Sequence, residues 1–156
     1  MRLSEKNGIV FGYKPADHNS AGISADSINC EICSHVTFLL QFGELTGDAV
    51  LTVSSGADDG TATTAETFYY RLAGAIQAAT GADVYAAETG AATLTLTAAT
   101  YENKCLIVEV PVDELTAGQP FLTLNVSSAA SEIFTSCMVI LSGMRYLSVN
   151  PPTAIA

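Results

Sequence analysis

Lys104-Cys-Leu-Ile-Val-Glu-Val110, Pro120-Phe-Leu-Thr-Leu-Asn-Val126 and Cys137-Met-Val-Ile-Leu141 decide the fold class of this chain. Each is a short run rich in Val, Ile, Leu and Thr, and Gly, Pro, Asp or Ser punctuates the gaps as far as Ser142-Gly-Met-Arg-Tyr146. Such runs, cut by turn residues, read as a single all-β domain, a β-sandwich or jelly roll. The same pattern extends upstream. In His35-Val-Thr-Phe-Leu-Leu-Gln-Phe42, the side chains of Val36, Phe38, Leu40 and Phe42 share one face at period two. Ala49 to Ser54 sets Leu51 and Val53 inward, and Thr93-Leu-Thr-Leu-Thr97 alternates leucine in with threonine out. The predicted core is Val36, Phe38, Leu40, Leu51, Val53, Leu94, Leu96, Leu106, Val108, Leu122, Leu124 and Ile140.

Three regions follow from this pattern. Residues 1–26 are rich in Gly, Asn, Asp, Ser and Ala, with short apolar islands such as Ile9-Val-Phe11, and read as an extended N-terminal arm. Residues 27–150 form the sandwich, and Pro151-Pro152 opens a short tail, 151–156. Residues 63–80 carry two signals. Thr63-x-x-Glu66 looks like a capping box, and Phe68, Leu72, Ile76 and Ala79 recur at helical spacing. Against that, Thr67-Phe-Tyr-Tyr-Arg-Leu72 is strand-like in residue type and Gly74 interrupts early, so the segment is assigned as strand. Any helix should be short, there or near 113–116.

A chain of 156 residues is one domain's worth and can bury a real core. Hydrophobic residues are 49% and charged ones 14%, so the surface must be finished largely with Thr, Ser, Ala and Gly. Faces covered by partners in an assembly suit such a composition, as does a Thr/Ser-rich monomer. Six basic residues against sixteen acidic give a net charge of −10, without the basic footprint that nucleic-acid binding needs. No apolar run reaches membrane-spanning length, and no apolar stretch backs the basic residues of the N-terminus as in a signal peptide. Folding in a cytoplasm is the expectation.

Catalytic and metal chemistry finds little support. Cys30-Glu-Ile-Cys33 is a CxxC, but it leads into a strand without the surrounding βαβ pattern of a redox enzyme. Cys105 and Cys137 lie alone in separate strands and give no second pair for zinc, while His18 and His35 could complete a set only through the fold. Asp58-Asp59 reads as a solvated turn. Neither histidine sits in a nucleophile or base motif, and no GxxxxGK phosphate loop occurs. The expectation is no enzyme, no cofactor and no metal.

From His35 onward the chain resembles the small structural proteins of tailed bacteriophages and prophages described as head decoration or capsid-stabilising proteins. His35-Val-Thr-Phe-Leu-Leu-Gln41 and Ala49-Val-Leu-Thr-Val53 are similar to that family's first core strands, and Phe68-Tyr-Tyr-Arg-Leu-Ala-Gly-Ala75 to a mid-chain segment. Leu94-Thr-Leu-Thr-Ala98, Cys105-Leu-Ile-Val-Glu-Val110 and Asp113-Glu-Leu115 match a strand, strand and turn. Ile140-Leu-Ser-Gly-Met-Arg-Tyr146 resembles the common ending, in which the arginine is expected to pin the last strand. The resemblance implies a non-enzymatic β-sandwich on the capsid exterior. Its partner would be the major capsid protein, and it would be a homo-oligomer, most naturally a trimer at threefold joints, made in a host bacterial cytoplasm. No membrane or nucleic-acid partner is implied. Another tail, neck or fibre-base component, or a carbohydrate-binding adhesion module, is the alternative.

On a virion the cysteines acquire a second reading besides ordinary buried thiols. Cys30, Cys33, Cys105 and Cys137 become candidates for interchain disulfides, since virion surfaces are oxidising. Alternation sets Cys105 with Ile107 and Glu109, opposite Leu106, Val108 and Val110, and so outward. Cys30 and Cys33 stand where the arm would join the sandwich.

Overall fold

The computed structural model describes residues 3–18, 21–75, 84–127 and 132–145. The strands in chain order are β1 Gly8–Asp17, β2 Ile23–Ser24, β3 Ile28–Asn29, β4 His35–Leu45, β5 Ala49–Gly56 and β6 Thr64–Ala65. There follow β7 Phe68–Ala75, β8 Thr89–Ala91, β9 Thr93–Leu96, β10 Lys104–Pro111, β11 Phe121–Val126 and β12 Ile133–Ser142. Helix is confined to single turns, including Leu3–Lys6, Ala98–Tyr101 and a 3-10 turn at Val112–Glu114.

Two antiparallel sheets pack face to face. The first runs β1-β12-β4-β10-β7-β8; the second runs β2-β11-β5-β6, with β3 also on β11 and β9 on β5. In the first, β4 is central because its alternation is complete: Val36, Phe38, Leu40 and Phe42 are all buried. Leu106, Val108 and Val110 of β10 and Val139 and Leu141 of β12 continue that inner face. Leu51, Val53, Leu94, Leu96, Leu122 and Leu124 of the second sheet close the core from the other side.

Three expectations need correction. The arm expected over 1–26 is instead strand over Gly8–Asp17: β1 pairs antiparallel with β12 from Gly8↔Leu141 to Asp17↔Phe134. The polar, Pro-containing composition misleads because β1 is an edge strand, where Pro15 and two register shifts are tolerated. Ile140 is not core. Its neighbours Val139 and Leu141 point inward, because Val139 stands opposite Phe38. Cys137-Met-Val-Ile-Leu141 is apolar on both faces, so its pattern carries no phase. Finally, Arg145 holds the segment just after β12 through its backbone, its amide donating to the Ile32 carbonyl at 2.9 Å. Tyr146, Pro151 and Pro152 lie outside the described residues.

The helix-or-strand conflict resolves toward strand as far as Ala75, with Ile76 and Ala79 outside the described residues. Glu66 does not cap a helix. Its amide donates to the Val53 carbonyl at 2.9 Å, and its buried carboxylate accepts from the Ser55 hydroxyl at 2.5 Å and the Thr116 amide at 3.0 Å. One carboxylate thus ties β5, the turn after β6 and the loop before β11 together. Asp58-Asp59 is a tight turn, closed by the Thr61 amide donating to the Asp58 carbonyl at 3.0 Å.

Candidate functional site

The two sheets finish their outer faces differently. Across the second sheet one register row reads Ser24, Asn125, Thr52, Thr93, the neutral polar finish that the composition predicts. The matching row across the first sheet reads Phe11, Met138, Leu39, Ile107, Arg71. Four apolar side chains from four adjacent strands stand in line, about 14 Å end to end at the usual strand spacing. Phe11 is 74% exposed and Met138 37%. The next row begins Ile9, Ile140, and the 39% exposed Ile9 lengthens the patch. On the other side, Phe134 sits against Gly43 and is 45% exposed.

A groove of about 660 Å³ lies on this face, bordered by Phe11, Leu39, Ile107, Met138 and Tyr85, with Cys105, Gln41, Ser136 and Lys14 as its polar members. An apolar row and groove on an outer sheet face make this the candidate contact surface of the domain. Charges on the face are few. Arg71 pairs with Glu88 at 3.3 Å on one flank, and His35 stands 3.4 Å from Glu109 at one end. Nearby, Tyr69 donates to Glu114 at 3.1 Å, and that carboxylate raises the phenol's pKa.

The cysteines separate into two kinds. Cys30 and Cys33 flank the 3-10 turn Cys30–Ile32, which begins where the Asn29 side chain accepts from the Glu31 amide at 2.9 Å. Both are fully buried. The Cys30 thiol donates to the Ile28 carbonyl at 3.6 Å and the Cys33 thiol to the Cys30 carbonyl at 3.9 Å; the closeness of the two thiols raises the pKa of Cys30 and lowers that of Cys33, which the His35 amide and the charge of Arg145 lower further. Neither can reach another chain while the sandwich is closed, which corrects their assignment as crosslinking sites. Cys137 is 3% exposed and points inward, where burial pushes its thiol up to about 12. That removes Cys137 as well. Cys105 is half-buried on the outer face, in the groove, as the alternation predicts. It is separated from Cys137 by β4 and by the thickness of the sheet.

His18 and His35 lie toward opposite ends of β12, where the His18 amide donates to the Ile133 carbonyl and His35 pairs with Ser142. The ring of His18 packs edge-on to Tyr13, with centroids 5.4 Å apart. Among the described residues no group of three or more His, Cys, Asp or Glu is placed to hold a metal, and no helix is long and apolar enough to cross a membrane. The residues of this candidate face that sequence reading missed are Phe11, Met138, Ile107 and Leu39. Their signal was present as apolar residues at the wrong phase for the core.

No protein-family model matches the chain, and no curated protein matches it. Among solved structures it is similar to the crystal structure of the SPBc2 prophage-derived protein YomS. That similarity has 10% identity and a TM-score of 0.47, over 86% of this chain and 92% of that one. Likeness at this level assigns neither family nor role.

Proposed function

We propose that this protein is a non-enzymatic structural component of a tailed-phage virion that seats on the outer surface of the capsid and stabilises it. The observation that carries the reading is the contrast between the two outer sheet faces. A domain working alone would finish both mainly with Ser, Thr and Asn, as the second sheet does apart from Val50; the Phe11, Met138, Leu39, Ile107 row supports a life spent covered. The resemblance of the segments from His35 to Arg145 to head-decoration proteins supports the choice of assembly. On this reading the partner is the major capsid protein and the working form is a small closed oligomer, a trimer fitting threefold joints. Each contact adds little alone, at ~25 cal/mol per Å² of apolar area, and the shell gains through copy number. If an interchain disulfide forms, Cys105 is the thiol that supplies it.

The test is location. Heads and tails of the virion are separated and probed with antibody against the chain. Signal on heads, at a copy number tied to the capsid lattice, is the expected result. Signal on tails or baseplates alone would move the protein to another virion part.

A further inference from the structure

The capsid reading leaves the partner's surface chemistry unspecified, and the distribution of charge supplies it. Resting on that reading, we propose that the outer face of the first sheet is the contact surface and that it seats on a protein surface apolar at its centre and basic around its rim.

Acids are excluded from the centre of this face although the chain carries sixteen of them. The central rows hold Phe11, Met138, Leu39 and Ile107, then Ser136, Gln41 and Cys105, without a carboxylate. Carboxylates stand at the perimeter instead. Glu109 and Glu114 lie toward one end, Glu88 beyond Arg71 on one side, and Asp17 and Glu44 at the far ends of β1 and β4. A perimeter whose carboxylates outnumber the cations Lys14 and Arg71, the latter paired with Glu88, is complemented by an apolar centre with a net positive rim, which also speeds encounter.

The same pattern disfavours a second copy as occupant. Two chains of −10 each would bring like-charged rims together around the contact. Strand addition at the β1 edge is disfavoured too, since Pro15 and the register shifts after Phe11 and Tyr13 interrupt its hydrogen-bonding row. The groove of about 660 Å³ is open to side chains of a docking surface.

The experiment uses the full chain and heads of its own phage stripped of it. Rebinding is measured across a salt series for wild type, Phe11→Ser, Met138→Ser and the polar-face control Thr52→Glu, with circular dichroism confirming that each is folded. Expected are wild-type binding that weakens steeply with salt, a loss of about 30-fold or more for Phe11→Ser or Met138→Ser, and no change for Thr52→Glu. A folded triple variant Glu88→Gln, Glu109→Gln, Glu114→Gln should bind more slowly and with a flatter salt dependence. Wild type that fails to bind heads overturns the capsid reading and this proposal with it. Wild type that binds while both serine variants bind equally well overturns the face assignment and leaves the capsid reading standing. An oligomer of free protein that Phe11→Ser dissolves, with head binding intact, makes the face a self-contact and equally overturns the proposal.

Discussion

Phe38 and Phe11 offer a controlled comparison, because they are the same residue type on opposite faces of one sheet. Phe38 is fully buried on β4, flanked in register by Val139 of β12 and Val108 of β10. A phenylalanine buries ~200 Å², so at ~25 cal/mol per Å² its burial is worth ~5 kcal/mol. Rigid strands on both sides leave a cavity when the ring is removed, and Phe38→Ala should cost ~3–5 kcal/mol, much of a domain's margin. Phe11 is 74% exposed, leaving roughly a quarter of that area buried. Phe11→Ala should therefore cost ~1 kcal/mol or less. Urea unfolding followed by circular dichroism reads both, and with a slope of ~2 kcal/mol per M the Phe38→Ala midpoint should fall by ~2 M while that of Phe11→Ala falls by less than ~0.5 M. Equal losses would place both rings in the core and refute the assignment of an outer apolar face.

Other consequences can be checked on the isolated protein. Glu66→Ala removes the acceptor of the Ser55 hydroxyl and the Thr116 amide and should cost ~2–4 kcal/mol, with hydrogen exchange at Thr116 accelerating; Glu66→Gln, which keeps one acceptor oxygen, should lose less. Native alkylation should label Cys105 first and leave Cys30, Cys33 and Cys137 unreacted until denaturant is added, as mass spectrometry of the digested chain would read. Stability should fall at alkaline pH. Below the ordinary thiol value of 9.0 Cys137 is protonated in both states and its contribution is full; above it the unfolded chain loses the proton first, while the folded thiol holds it to about 12. Three pKa units correspond to about 4 kcal/mol lost by pH 12, and Cys137→Ala should flatten that part of the decline in a pH series of urea melts. Burial of Tyr13, whose phenol is also pushed up, steepens the same limb.

The apolar face explains features of the sequence that the core alone does not. Met138 and Ile140 are unnecessary for a sandwich that faces water on one side of each sheet, yet they interleave with Cys137, Val139 and Leu141 along β12. That doubling makes β12 hydrophobic in both phases. It also gives Cys105 a place in a mostly apolar groove, beside Ile107 and Gln41.

The sequence by itself determined the strand class, most of the longer strands and eleven of the twelve core residues it named. Period-two alternation is a local property, and burial enforces it wherever only one face is covered, as in Val36 to Phe42 and Thr93 to Leu96. Composition likewise determined the neutral polar finish of the second sheet. Tertiary structure decided what no local pattern could carry. Gly8–Asp17 became an edge strand because β12 offered it a hydrogen-bonding partner more than a hundred residues away. The phase of β12 was set by register against β4, since a run apolar at every position contains no information about which side faces in. Thr63-x-x-Glu66 took its capping-box residues into a buried tie between β5 and the loop before β11, a contact fifty residues distant at Thr116. The apolar outer face emerged the same way: Phe11, Met138, Leu39 and Ile107 are scattered along the chain and become one surface only when strand pairing sets them side by side, about 4.8 Å apart.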